Sequence, residues 1–331
     1  MRIFLAGDHY SGTGPANVTG YYIKNLPDGT LFQKRRSKFM RIPEIIINTI
    51  RSDVVVYSGY SRQNVFGLKL AKMLKKPSAY IMHGCVEYEN EINLEPDEEM
   101  NSVERRTLEL ADSVIAVSGR FCNWLKDYYP MYSAKFDYVT NGIDTSLTYS
   151  HDPQNRNRHL IFSVGGGMPR KKIKYICKAV NILRETYDPE LILCVIGADG
   201  ADSKEIDSYD FVDNKGKVSF DESMALFGKA ALFVQNSSFE TFGLAPVEAL
   251  SCGCSVLCSK EVGALELIDN LQNTDIIENY DDVDEIAEKI RFNLNTPNAS
   301  RLIEGLKQES DSWKERSRAL ESKLLKLVSE R

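Results

Sequence analysis

An apolar run, Ala231-Leu232-Phe233-Val234, leads into Ser237-Ser238-Phe239-Glu240-Thr241-Phe242-Gly243-Leu244-Ala245-Pro246-Val247-Glu248-Ala249-Leu250. Four consecutive apolar residues predict a buried strand. Pro246 suits the first position of a helix, where its missing N–H is no loss, and Gly253 suits the left-handed position beyond the end. The stretch therefore reads strand, loop, short helix. The same unit recurs. Arg2-Ile3-Phe4-Leu5-Ala6 runs into a Gly-rich segment, Gly7 to Gly14, and a helix predicted from Pro15 to about Leu26. Further buried strands are predicted at 53–58, 78–82, 112–118, 160–164, 191–196, 217–220 and 275–277, with helical patterns between most of them. Strands alternating with helices place the chain in the α/β class with parallel sheets.

In open sheets of this kind ligands bind outside the carboxyl ends of the strands. The loop Phe242-Gly243-Leu244 would present backbone N–H groups at a helix N-terminus, which attracts anions. Glu240 and Glu248 flank those donors, and carboxylates beside N–H donors suit a ligand carrying both hydroxyls and a diphosphate. On the residues alone, a solvated Glu240 and a Glu248 that merely complements the helix dipole are the default reading. A second glycine-rich turn, Gly165-Gly166-Gly167-Met168-Pro169, ends in Arg170-Lys171-Lys172 after the strand at 160–164. Such a turn lets a diphosphate approach the backbone while the cations neutralise it. It is otherwise a surface charge cluster. His83-Gly84 closes the strand at 78–82, which places His83 at a carboxyl end. Gly12-Thr13-Gly14 partly mimics a dinucleotide fingerprint, but Asn17 stands where its third glycine belongs.

With 331 residues the chain has room for two cores, and the polar segment His151–Arg158 reads as the linker between them. A formal charge of −6 argues against general nucleic-acid binding. No run reaches membrane-spanning length, and a charge interrupts the N-terminus too early for a secretory signal, so the expectation is a cytoplasmic protein. Seven scattered cysteines fit reduced thiols; Cys252, Cys254 and Cys258 lack the spacing and partner ligands of a metal site. The basic run 33–41 is either a solvated surface loop or a surface that meets an anionic membrane at its inner face, or an anionic lipid-linked acceptor.

The Glu240–Glu248 string, with Phe242-Gly243-Leu244 between the two acids, resembles the donor-site motif of retaining glycosyltransferase family 4, whose members have the GT-B fold. The likeness continues through Ala249–Val256 and Val262-Gly263-Ala264, and through Asp112–Ser118 and Asn141-Gly142-Ile143-Asp144 earlier in the chain. It implies two Rossmann-like domains facing each other across a cleft. The acceptor domain would span 1–152, with a C-terminal helix at about 312–331 packed back on it, and the donor domain 153–311. It implies transfer of a hexose-type sugar from a nucleotide-diphosphate sugar to a saccharide or lipid-linked acceptor, without metal or other cofactor, in surface polysaccharide or glycoconjugate synthesis. His83, Lys171 and Glu240 would be catalytic. Gly14, Arg170, Lys171, Phe242, Gly243, Leu244 and Glu248 would bind the donor. Gly166 stands where the family usually carries an arginine, which leaves open whether Arg170 substitutes. A nucleotide-sugar epimerase or a catalytically silent nucleotide-sugar-binding subunit are the competing expectations.

Overall fold

The computed structural model describes residues 1–144, 156–306 and 310–330. The expected domain boundary at 152/153 and linker residues 151–155 lie outside the described residues. The chain divides into two compact units: residues 1–88, 96–144 and 310–330 form one, and 89–95 with 156–306 form the other.

The first unit is built on a six-stranded sheet of order β2-β1-β3-β4-β5-β6. Its strands are β1 (Ile3–Gly7), β2 (Leu31–Phe32), β3 (Val54–Ser58), β4 (Ser78–Met82), β5 (Ser113–Ala116) and β6 (Phe136–Tyr138), and every pairing is parallel. All five residues of β1, β3 and β4 are buried, as continuous apolar runs between two helix layers must be. The chain starts in β1, pairs β2 on one side and then crosses to β3 on the other, so strand order reverses between β1 and β3.

The second unit repeats the plan with β7 (Asn157–Val164), β8 (Ile192–Ile196), β9 (Val212–Asn214), β10 (Ala230–Gln235), β11 (Ser255–Ser259) and β12 (Ile276–Ile277), in the order β12-β11-β10-β7-β8-β9. Here order reverses between β7 and β10, whose register sets Leu232 opposite Ile161 and Phe233 opposite Phe162. Alternation along these strands feeds two layers. Ile161, Leu193, Leu232 and Val234 pack with Ile176, Val180, Ile286 and Ile290 of the helices Ile173–Thr186 and Val283–Asn295. On the opposite face Phe227 meets Phe162 and Phe233 edge-on with ring centroids 4.9 and 5.2 Å apart.

Two sequence expectations are corrected. Residues 217–220 are not a strand. Ser219 caps a helix, Phe220–Lys229, through a reciprocal capping box with Glu222, and the ladder position is taken by β9. The basic run at 33–41 is only partly loop, because Ser37 precedes a helix, Lys38–Arg51. No helix among the described residues is long and apolar enough to cross a membrane.

Candidate active site

Both edges of the reversal point in the second sheet carry chemistry. From β7 the chain enters Gly165-Gly166-Gly167, crosses a single turn of 3₁₀ helix at Pro169–Lys171, and starts the helix Ile173–Thr186. Gly166 has φ +56°, and a Cβ there would sit 2.1 Å from the Ala198 carbonyl oxygen. A Cβ on Gly167 would lie 2.1 Å from Ser203 Oγ. The turn is therefore pressed against Gly197–Ser203. No arginine fits at Gly166 in this conformation, since both the left-handed backbone and the space refuse a side chain.

From β10 the chain enters the loop that carries Glu240. Its carboxylate takes the Lys171 ammonium and the Gln235 amide (2.9 Å), with Arg170 Nη1 3.6 Å away. Arg170 also donates to the Phe239 carbonyl (3.3 Å), and its other Nη stands 3.7 Å from Glu89. The Arg170 carbonyl in turn accepts from the Ser238 N–H at 2.8 Å, which ties the two loops together. Burial works against ionisation of Glu240, but the Lys171 and Arg170 charges outweigh it and hold the carboxyl below the usual range. Burial lowers the Lys171 pKa against the pull of Glu240, and Arg170 beside it adds to the lowering. Arg170 Nε, Gln235 Oε1 and Ser237 Oγ are, like several atoms elsewhere in the chain, buried with no partner among the described residues, so polar groups of a ligand would find partners here.

The loop's position is fixed from the next strand. Gly263 N–H donates to the Glu240 carbonyl (3.3 Å) and Ala264 N–H to that of Phe242 (2.7 Å), so Val262-Gly263-Ala264 is the motif's support. Phe242 is buried, and Gly243 has φ +78° with its missing Cβ 2.9 Å from Glu240 Cγ. Leu244 caps a two-turn helix, Ala245–Ser251, with Pro246 second rather than first. Glu248 lies in its first turn, half-buried, and burial raises its pKa to about 7. No hydrogen bond or ion pair within the described protein engages that carboxyl. Arg170, Lys171, Glu240, Phe242, Gly243, Leu244 and Glu248 thus come together at one end of one sheet.

His83 and Gly14 belong to the other unit, also at strand carboxyl ends. His83 Nε2 lies 2.8 Å from Ser58 Oγ, which lies 2.7 Å from Thr19 Oγ1, and Thr19 donates to the Pro15 carbonyl at 2.9 Å. These contacts form a relay from Thr19 through Ser58 to the His83 ring. Burial lowers the His83 pKa to about 4, so the ring is neutral at pH 7. Gly14 opens the helix Gly14–Asn25, and a Cβ there would meet nothing, so protein packing does not demand glycine. Sequence reasoning missed Gln235, Ser58 and Glu89. The first two are polar residues closing apolar strands, a signal that was available.

Among the described residues, one group has ligand atoms close enough together for a cation: His159, Asp188 and Glu190. His159 Nδ1 is 2.7 Å from Asp188, while Nε2 accepts from Arg158 at 2.9 Å. Both ring nitrogens are committed, and the cluster sits near the amino end of β7, away from the donor loops at the carboxyl end.

Two Rossmann-like sheets with chemistry at their reversal points define the class: a protein of the GT-B type. Residues 3–147 match the profile of Glycosyltransferase Family 4 and residues 150–311 that of Glycosyl transferases group 1. The chain belongs to glycosyltransferase family 4. It is 27% identical over 212 residues to the alpha-maltose-1-phosphate synthase of Mycolicibacterium smegmatis, covering 57% of this chain and 54% of that one. It is 26% identical over 234 residues to the D-inositol 3-phosphate glycosyltransferase of Pseudarthrobacter chlorophenolicus, covering 64% and 55%. The chain spans about half the length of the curated relatives it matches. Among solved structures, Anabaena HepE with UDP and glucose superposes with a TM-score of 0.71 at 15% identity over 99% of both chains. Sucrose-phosphate synthase from Thermosynechococcus elongatus superposes at 0.72 with 18% identity over 100% of both.

Proposed function

We propose that this chain is a cytoplasmic, metal-independent, retaining glycosyltransferase. It moves a hexose-type sugar from a nucleotide-diphosphate sugar to a hydroxyl of a saccharide or lipid-linked acceptor, in surface polysaccharide or glycoconjugate synthesis. The observation that carries this reading is the Arg170–Lys171–Glu240 constellation beside the unengaged Glu248 carboxyl. In the free protein Glu240 occupies the cations. A donor diphosphate takes Lys171 and Arg170 from it and frees the carboxylate to accept hydrogen bonds from sugar hydroxyls, while Glu248 accepts from the ribose. Phe242, Gly243 and Leu244 form the donor-binding turn beside these charges, and Gly14 takes the donor-binding role that the family resemblance implies. His83, a neutral donor and acceptor, is assigned to the transferred sugar.

In the reaction the bond between the anomeric carbon and the diphosphate oxygen breaks, and the electron pair leaves with the phosphate. Lys171 and Arg170 stabilise that growing charge, a contribution of the oxyanion kind. The acceptor oxygen bonds to the same face of the carbon, and its proton passes to the leaving phosphate oxygen. Arg170 takes the task that the family gives to an arginine at the position of Gly166.

The test is proton NMR of the protein with a panel of nucleotide sugars, with and without simple glycoside acceptors. Transfer or slow hydrolysis with the donor's anomeric configuration kept is expected. An inverted product overturns retention. A changed ring carbon without acceptor makes the protein an epimerase, and donor binding with no turnover makes it a silent binding subunit.

A further inference from the structure

The helix Lys38–Arg51 carries apolar side chains on two faces, one packed inward and one exposed. Ile45 and Thr49 face the core, while Phe39, Met40, Pro43, Ile47 and Ile50 face solvent. Phe39 is 88% exposed, Ile50 58% and Ile47 53%. At 100° per residue Phe39, Pro43, Ile47 and Ile50 fall in one stripe. A water-facing stripe of this kind needs a cover.

Charge says what the cover is. Between residues 33 and 76 stand eleven Lys and Arg and only two acids, in a chain whose net charge is −6. Both acids are spent locally. The two oxygens of Glu44 accept from the backbone N–H groups of Lys34 (2.8 Å) and Arg35 (3.0 Å), and Asp53 accepts from that of Arg2 (2.6 Å). The side chains of Lys34, Arg35, Arg36 and Lys38 are exposed at one end of the stripe. At the other end Lys76 donates to the Ile50 carbonyl (2.9 Å), which ties in the packed neighbour helix Arg62–Met73. That helix and its end add exposed Lys69, Lys72 and Lys75, and Met73 is 80% exposed beside them.

We propose that this face of the first unit docks on an anionic lipid bilayer, with the Phe39–Ile47–Ile50 stripe entering the interface and the flanking cations meeting lipid headgroups. Cations spread along two helices rather than gathered into a pocket match a continuous anionic surface better than a single acidic peptide. The inference goes beyond the sugar-transfer reading and does not depend on it.

Vesicle flotation tests it. The protein is expected to float with vesicles of phosphatidylcholine containing about one-third phosphatidylglycerol, not with phosphatidylcholine alone, and to detach in roughly 0.5 M salt. Phe39→Ser/Ile47→Ser/Ile50→Ser should lower partitioning about tenfold or more, with the thermal midpoint unchanged because the three side chains are exposed. Equal binding to neutral vesicles, no flotation, or unchanged flotation of the triple variant would overturn the proposal. So would a lipid-free dimer that the triple variant abolishes, which would assign the face to a second copy.

Discussion

Glu248 is half-buried without a cation or a donor to answer its charge, so the fold favours its protonated form. Its folded pKa, about 7, lies above the ordinary carboxylate value. The free protein therefore binds an extra proton relative to the unfolded chain, and stability falls as pH rises from the unfolded value through 7. Glu248→Gln should remove that fall, making the free protein more stable at pH 8 by at most roughly 3 kcal/mol, while weakening donor binding. Thermal melts at pH 5 and pH 8 check the first half and calorimetry the second. A variant no more stable than wild type at pH 8 would mean the carboxyl is better solvated than its position indicates. The chemistry of Glu240 and Glu248 was legible in the sequence as a pair of acids around a glycine turn. Their different states were not, because those depend on Lys171 and Arg170, about seventy positions upstream of Glu240, arriving on one carboxylate and not the other.

At the scale of elements, the glycine turn after β7 exists to lie against Gly197–Ser203. Gly166→Ala should destabilise the second unit by at least about 2 kcal/mol, from the left-handed backbone and the overlap with the Ala198 carbonyl; chemical denaturation measures it. A neutral result would show that the turn can shift and that an arginine could have stood there. The missing arginine was visible in the sequence, but its cause, a carbonyl from the next strand's turn, is tertiary. At 217–220 local information competed with itself: a short apolar alternation suggests a strand, yet Ser219 and Glu222 at capping-box spacing decide for a helix. The helix Lys38–Arg51 was hidden for another reason. Pro43 inside it and basic residues before it look like a loop, and a second apolar stripe on it points outward.

Across the whole molecule, the chain builds most of the first unit, then the second, and returns to finish the first. The helix Trp313–Ser329 belongs to the first unit. Trp313 stacks on Tyr21 with ring centroids 4.6 Å apart and meets Tyr22 edge-on, and Lys323 pairs with Asp137. A Cβ on Gly142 would sit 2.7 Å from Trp313 N, and Ile143 N–H donates to the Asp311 carbonyl at 2.8 Å. Asn141-Gly142-Ile143-Asp144 is thus a seat for the returning chain. Trp313→Ala should destabilise the first unit by about 3–5 kcal/mol, lowering one of two unfolding transitions while the other holds. A single shifted transition would mean that the units unfold together. The helix's amphipathic spacing was plain in the sequence, but what it packs on could only come from the resemblance, since nothing local encodes a contact across some three hundred residues.

The most direct test of the central claim is calorimetric titration of UDP, ADP and GDP into the wild-type protein and into Lys171→Ala. One of the three nucleotides is expected to bind the wild type, and the substitution to weaken that affinity about tenfold or more, as loss of a charge-assisted contact to a phosphate should. Equal affinity in the two proteins, or no binding of any nucleoside diphosphate to the wild type, would contradict a donor diphosphate held at Lys171.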